Sequence, residues 1–484
     1  MNRKIIGKIL GFLLVMESFL FMPPAFISWM DGERVALTAF FTAAAVAAVV
    51  GGWLSHTCKE AERSYYAREG FLIVSLGWIV LSAVGALPFW ISKEIPRYVD
   101  ALFEVISGFT TTGASILTNV EGLSRGMLFW RSFTHWLGGM GILVFLLAVV
   151  PMGKGGYSFN LLRAESPGPS VTKLVPKTRE SATILYRLYI LLTVLCVGFL
   201  LLGGMPLFDS LCTAMGTAGT GGFGIKNDSM AGYSPYLQNV CTVFMALFGV
   251  NFSLYYLLLL GRVREALFNE ELRLYVGIIL ASVAAITFNI LPLYGGQIRG
   301  ALHDAAFTVS SIITTTGFAT ADFNLWPQLS RTILVVLMVV GACAGSTGGG
   351  IKCARVILLT KSLKAHIRQS LHPRSVNLIQ VEGRTVEEET IQGVNTYMSA
   401  YCAIAVVSVL ILALDNCSIE TNLTAMLACL NNIGPGLDLV GPTSNYFHFS
   451  DLSKIVLMLD MLLGRLEIFP LLVMLSPRTW KRTA

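Results

Sequence analysis

Four short stretches carry oxygen-rich or glycine-rich sequence of a kind that can coordinate an alkali cation: Thr111-Thr112-Gly113-Ala114-Ser115, Thr220-Gly221-Gly222-Phe223-Gly224, Thr315-Thr316-Gly317-Phe318-Ala319 and Asn432-Ile433-Gly434-Pro435-Gly436. Stripping water from such an ion requires oxygens that replace its hydration shell. Rings of backbone carbonyls do this when the chain runs extended along an axis. Glycine suits that strand because it accepts φ values that other residues resist, and a threonine at its start adds a hydroxyl oxygen. A single Thr-Thr-Gly reads equally well as a turn. The equivalent placement of all four, each after a short apolar segment, is what separates them from turns.

Those apolar segments, residues 99–110, 207–218, 300–313 and 420–430, have to position the strands. A helix of about 12 residues rises about 18 Å, too little to cross a hydrocarbon core of about 30 Å. Irregular backbone at membrane depth is tolerated only where protein buries it or water lines it. A half-spanning helix with its C-terminus turned inward also directs partial negative charge at a central cation. Longer apolar runs flank each segment: 71–89 and 127–150, 184–202 and 237–260, 274–291 and a span from 332, 397–414 and 452–475. One unit of helix, re-entrant loop and helix is therefore written four times. Two further spans, 9–29 and 35–54, precede it, which predicts about ten crossings besides the four half-helices.

Composition agrees with a polytopic membrane protein. Of 484 residues, 54% are hydrophobic and 13% charged, against roughly a quarter charged in soluble domains. Arg3, Lys4 and Lys8 precede the first run, but it is long and lacks a small-residue cleavage site, so it reads as a retained span. Nine cysteines form no CxxC pair and no cluster with histidine, which argues against metal binding and a disulfide framework. The net charge of +6 is concentrated at residues 154–187, 262–273 and 352–374 and at Arg478, Lys481 and Arg482. The positive-inside rule places these segments and both termini in the cytoplasm, and every glycine strand near the outer face. This charge reads as topology and not as a nucleic-acid surface.

Two further features lie within the spans. The run Gly341-Ala342-Cys343-Ala344-Gly345-Ser346-Thr347-Gly348-Gly349-Gly350-Ile351-Lys352 should break its helix, since glycine costs about 1 kcal/mol per helical position. It does not match a phosphate-binding GxxxxGK[ST] loop. A small-residue helix contact is the other reading, and a flexible loop beneath the strands is preferred. Arg465 lies in the last span, where an arginine faces a cavity or a partner; Asp460 and Glu467 are both candidate partners. Lys352 either shares that role or snorkels. His135 and His303 stand without a paired acid and nucleophile, so no enzyme is expected.

Ser107-Gly108-Phe109-Thr110-Thr111-Thr112-Gly113, Thr314-Thr315-Thr316-Gly317-Phe318, Asn431-Asn432-Ile433-Gly434-Pro435-Gly436 and Gly464-Arg465-Leu466-Glu467-Ile468-Phe469-Pro470 resemble the TrkH/TrkG/KtrB potassium uptake family over essentially the whole chain. The two leading spans look like its TrkH branch. The resemblance implies an all-α integral membrane protein with a fourfold pseudo-repeat around one central pore. The corresponding division is 1–68 for the leading helices, 69–153, 183–261, 262–360 and 395–484 for the repeats, and 154–182 and 361–394 for cytoplasmic linkers. It implies that Gly113, Gly222, Gly317 and Gly434 are filter glycines. Thr111, Thr112, Thr220, Gly221, Thr315, Thr316, Asn432 and Ile433 would line the K⁺ sites. Loop 341–352, with Gly345, Ser346, Thr347, Gly348, Gly349 and Gly350, would be the gate, with Arg465 facing the path below the filter.

The four strands differ from one another, unlike four identical TVGYG strands, and this predicts fewer strong sites and looser discrimination. The resemblance further implies a homodimer in the cell's inner membrane, with a TrkA-like cytosolic nucleotide-binding regulatory subunit and no organic cofactor. A Na⁺- or H⁺-coupled potassium symporter is the alternative; the shared orientation of the repeats favours a pore over the inverted repeats common in carriers.

Overall fold

The long apolar runs fold as helices whose breaks fall where the sequence supplies proline, glycine or asparagine. The computed structural model describes residues 2–58, 67–141, 178–374 and 378–480. The protein is an all-α integral membrane protein, apart from a two-stranded hairpin pairing Gln380–Val381 with Arg384–Thr385. Arg3–Leu20 runs into Met22–Met30 across the break before Pro23 and Pro24, and Arg34–Thr57 packs back along it. Their crossing is close because Gly11 and Gly51 face each other: a Cβ on either would come 2.7 Å from the other's carbonyl oxygen.

Each of the four units begins with a long helix, Ala67–Gly85, Thr178–Leu202, Glu270–Ile290 or Glu388–Leu412. A short helix follows: Tyr98–Phe109, Leu207–Gly219, Ile298–Ile313 or Ile419–Leu430. The returning helix begins at Arg125, Pro235, Gln328 or Asp451. It packs on the short helix of the following unit, and that of the fourth packs on the first, which closes a ring.

The returning spans are broken: the third at the glycine run 341–352, as its sequence predicts, and the others where continuous helices were expected. Arg125–Gly139 ends on a glycine pair. Pro235–Phe248 and Phe252–Leu259 meet at 89°, across Gly249-Val250-Asn251. Gln328–Val340 stops at Gly341, with φ of 71°, and helix resumes at Cys353–Leu371. Asp451–Arg465 gives way to Glu467 and Ile468 at positive φ before Phe469–Leu475. Among the described residues, six helices are long and apolar enough to cross a membrane, or seven with the bent pair. Residues 142–150 of the first returning span, most of the 154–182 linker, and Lys481 and Arg482 lie outside the described residues.

The described residues of the 361–394 segment include the end of helix Cys353–Leu371, the hairpin and the start of helix Glu388–Leu412. Lys361, on helix Cys353–Leu371, pairs with Glu270 and reaches the hairpin at the Gln380 carbonyl, 2.7 Å away.

Three of the four ring contacts carry a polar clamp, each made by the fourth residue of a returning helix. Lys454 reaches Asp100 of the first short helix at 2.7 Å. Arg331 pairs with Glu420, and Gln238 meets His303 at 2.7 Å. At the remaining contact, the Arg125 guanidinium lies 4.4 Å over the Phe208 ring. Lys454 and Asp100 are both nearly inaccessible, at 1% and 4%. Removing one partner of a buried pair leaves an uncompensated charge, whereas an apolar pair is often neutral. Lys454→Met should therefore destabilise the purified protein by about 3–5 kcal/mol in denaturant unfolding, and Asp100→Leu added to it should restore most of the loss.

Candidate functional site

All four short helices end in the same hydrogen-bonded turn. In the first, the Thr111 amide donates to Gly108 O at 3.1 Å and the Thr112 amide to Ser107 O at 2.9 Å. The matching pairs are Thr220 to Thr217 with Gly221 to Gly216, Thr315 to Ile312 with Thr316 to Ser311, and Asn432 to Cys429 with Ile433 to Ala428. This is the Schellman closure, whose C′ residue is left-handed and usually glycine. Here that residue is Thr111, Thr220, Thr315 or Asn432, with φ of 56°, 53°, 58° and 56°. A β-branched residue rarely adopts such a value, whereas asparagine tolerates it. The fourth unit, which lacks the threonine pair, therefore holds the least strained of the four turns.

Two residues further on, Gly113, Gly222, Gly317 and Gly434 also have positive φ, from 69° to 98°. Here glycine is required by close approach as well. A Cβ on Gly113 would lie 2.0 Å from Gly221 O, one on Gly222 2.0 Å from Thr316 O, and one on Gly317 2.2 Å from Ile433 O. One on Gly434 would lie 2.7 Å from Thr112 O, returning to the first strand. The four strands thus form a closed ring in chain order. Each sets the carbonyl before its glycine against the glycine of the strand preceding it, and the fourth closes on the first. Thr111, Thr112, Thr220, Gly221, Thr315, Thr316, Asn432 and Ile433 all belong to that ring.

The differences between strands have local causes. Gly221 stands where other units carry larger residues because His135 fills the space: a Cβ there would lie 2.3 Å from its Nδ1. The His135 ring is wholly buried. Its Nδ1 bonds Gly108 O at 2.8 Å, and its Nε2 accepts from the Phe223 amide at 3.2 Å. It therefore ties the first short helix to the second strand in one neutral tautomer. Ile433 packs in the apolar cluster with Leu437 and Met338, while Asn432 donates to Thr112 Oγ1 at 3.0 Å and Met461 O at 2.9 Å. Tyr446 donates to Gly434 O at 2.7 Å.

Behind the first two strands, Arg131 bonds Glu104 and Gly224 O, at 2.8 and 3.0 Å, with its guanidinium 3.9 Å over Phe223. Glu104 also accepts from Ser115 and Ile116. Sequence reading missed His135, Arg131, Glu104 and Tyr446 as supports. A buried arginine and glutamate within one unit were the available signal.

Loop 341–352 folds against this ring. The Gly349 amide donates to Thr315 Oγ1 at 2.7 Å and the Gly350 amide to Asn431 O at 3.1 Å. Added Cβ atoms on Gly348 and Gly349 would lie 2.9 Å from Thr314 O and 2.3 Å from Asn431 O. Gly345 O accepts from the Phe252 amide at 3.0 Å, and the Ser346 hydroxyl donates to Cys343 O. Thr347 donates to Phe248 O. Glu271 accepts from the Ala344 and Ala354 amides at 2.6 and 3.0 Å, holding both ends of the loop.

Arg465 crosses beneath. It donates to Thr347 O at 3.1 Å, Thr111 Oγ1 at 3.3 Å, Gly139 O at 2.7 Å and also Gly138 O. Both acids expected as its partners bind elsewhere: Glu467 pairs with Arg355 at 2.5 Å, and Asp460 accepts from Ser408 at 2.8 Å. Lys352 turns inward to Gly348 O at 2.6 Å.

Residues 36–482 match the TrkH family, described as a cation transport protein. The chain is 36% identical to the Trk system potassium uptake protein TrkH of Salmonella typhimurium, over 99% of this chain and 100% of that one. It is 32% identical to TrkG of Escherichia coli K12, over 99% of each. The crystal structure of the potassium transporter TrkH from Vibrio parahaemolyticus superposes with a TM-score of 0.88 at 32% identity, covering 99% of this chain and 100% of that one.

His135→Phe removes both imidazole hydrogen bonds while keeping the ring. Gly108 O keeps the Thr111 amide, but the Phe223 amide is left unsatisfied, which should cost about 1–3 kcal/mol, read as a loss of stability in denaturant unfolding.

Proposed function

This chain belongs to the TrkH family of cation transport proteins, not to an enzyme family, and from that premise we propose that it mediates potassium uptake through one central pore filtered by its four glycine strands. The closed ring of strands is the observation that carries the reading. Positive φ at two positions per strand turns successive carbonyls toward one side, as a lining of ion sites requires. Four helix C-termini add partial negative charge at the same place. The ion sites are Thr111, Thr112 and Gly113; Thr220, Gly221 and Gly222; Thr315, Thr316 and Gly317; and Asn432, Ile433 and Gly434. Tyr446 holds one carbonyl of the fourth strand, which fits a filter with unequal sites and looser discrimination.

Loop 341–352 is the gate in this reading. Its bonds to Thr315 and Asn431 support a closed path under the filter, and Arg465 adds a positive charge there that opposes cation passage. The surface formed by Cys353–Leu371 and the hairpin is the docking face for a TrkA-like cytosolic subunit that binds nucleotides. The names of the Trk system relatives support such a partner. The assembly is a homodimer in the inner membrane, with both termini cytoplasmic.

Rubidium uptake into proteoliposomes holding the purified protein, with the cytosolic partner added, tests the reading. Uptake should be blocked by K⁺ far more than by Na⁺. Gly113→Ala, whose Cβ would meet Gly221 O at 2.0 Å, should abolish uptake or its ion preference while leaving membrane insertion intact. A strict requirement for an imposed proton or sodium gradient would favour the coupled symporter. Absence of flux with the partner present would overturn the assignment. Arg465→Gln should raise uptake at least about tenfold, since Arg465 lies against Thr111 of the proposed ion sites, and a unit charge even about 10 Å from the ion is worth about 1.7 kcal/mol at an effective dielectric of about 20.

A further inference from the structure

Away from the ring, Glu17 lies midway along the first span, fully buried, and neither carboxyl oxygen has a hydrogen-bond partner. Helix Ala67–Gly85 packs against its helix. On that neighbour, Ser75 Oγ, Trp78 Nε1 and Ser82 Oγ are also buried and without partners. At 100° per residue, positions 75, 78, 82 and 85 fall on one face. At the end of that face, the Cβ position of Gly85 is 3.1 Å from Glu17 Oε1, 3.1 Å from Val105 Cγ1 and 3.0 Å from the Phe109 ring. Trp78 in turn lies under Arg465, whose guanidinium is 5.8 Å from its ring. The carboxyl with two orphaned oxygens therefore sits at the Gly85 end of a face that carries three orphaned donors, with Ser82 about one turn from Gly85, Trp78 about two and Ser75 about three, against the back of the short helix Tyr98–Phe109.

Buried polar groups are almost always satisfied, by protein or by water. An ionised carboxylate at such a place is so costly that the group takes up a proton instead. The charged groups on the surrounding elements are engaged or distant. Glu69 accepts from the Asn2 amide, Asp100 binds Lys454 and Glu104 binds Arg131. Arg125 pairs with Asp31, and His135 is committed to backbone. Arg34 and His56 are exposed at the two ends of their helix, and Arg3, Lys4 and Lys8 lie more than two turns away along the helix of Glu17.

We propose that Glu17, with Ser82 and Trp78, forms a proton-binding site inside the membrane domain, and that its protonation controls the seating of the first short helix. Glu17 holds the proton as a neutral carboxylic acid, hydrated by water that the Ser82 hydroxyl and the indole N–H also bind. When the proton passes to that water, the carboxylate left behind needs more water or a cation. The space must come from between Glu17 and Val105 and Phe109, which moves the strand that begins at Thr111. The transport half of this inference rests on the proposed cation path; the proton site itself does not.

Infrared difference spectroscopy and flux on the full-length protein in proteoliposomes test the two halves separately. The protonated-carboxyl C=O band should be present in the wild type, reduced in Glu17→Gln, and retained in a parallel Asp460→Asn sample. Ser82→Ala should shift its frequency, which keeps the site testable if Glu17→Gln fails to fold. Rubidium uptake should follow pH with the protonated fraction of one group, whose protonated-to-ionised ratio changes about tenfold per pH unit. Glu17→Gln should hold uptake at its low-pH level throughout. A spectrum in which no protonated-carboxyl band depends on Glu17 overturns the site. An unchanged pH profile in a folded Glu17→Gln protein overturns the coupling. A Glu17-dependent band in a protein that carries no rubidium supports the site and counts against the potassium reading alone.

Discussion

A threonine forced into the left-handed region at the end of a helix is the constraint from which the centre of this protein is built. The Schellman closure needs that conformation to return two amides to the helix, and in three units the chain meets it with a β-branched residue. Such a residue costs on the order of 1–3 kcal/mol and persists only where its surroundings over-determine it. The surroundings here are the neighbouring strands, since each glycine admits the next strand's carbonyl at a distance no side chain would allow. Turn and ring are thus mutually dependent: without the ring the turns would relax, and without the turns the carbonyls would not share an axis.

The loop and Arg465 extend this dependence by one layer. Loop amides satisfy Thr315 and Asn431, and the guanidinium spans Thr111, Thr347 and the end of helix Arg125–Gly139. Arg465 donates to carbonyl and hydroxyl oxygens of the loop, the first strand and the first returning helix, which fixes where its positive charge sits. Of the two nearby carboxylates, Asp460 accepts from Ser408, and Glu467 belongs to Arg355 and the foot of Cys353–Leu371. The same stretch of chain therefore connects the strands to helix Cys353–Leu371, between the third and fourth units.

Length and hydropathy made the four-unit plan legible, because a 12-residue apolar segment before a glycine admits few other readings in a membrane. The short helices fall within a few residues of the sequence expectation. The glycine run announced the break in the third returning span, but those of the second and fourth were not legible: Gly249-Val250-Asn251 and Leu466-Glu467-Ile468 are brief enough that the average hydropathy barely registers them. Partner choice was hidden as well. Asp460 and Glu467 are both close to Arg465 in sequence, yet their alternatives, Ser408 and Arg355, come from distant segments that only packing brings near. His135, from the first returning helix, fills the space that a side chain at 221 would need, a cause that the sequence of the second strand does not show.

The clamp between Lys454 and Asp100 joins residues 354 positions apart, and it has a consequence for how the protein is made. A ribosome delivers the first short helix long before the last returning helix exists, so Asp100 enters the bilayer without its base. Until Lys454 arrives, that carboxylate has no base to pair with, and the contact that closes the ring cannot form. Assembly of the ring is therefore vectorial with a late seam. The earliest unit to be synthesised is among the last to be locked, and the last returning helix acts as its own protein's keystone.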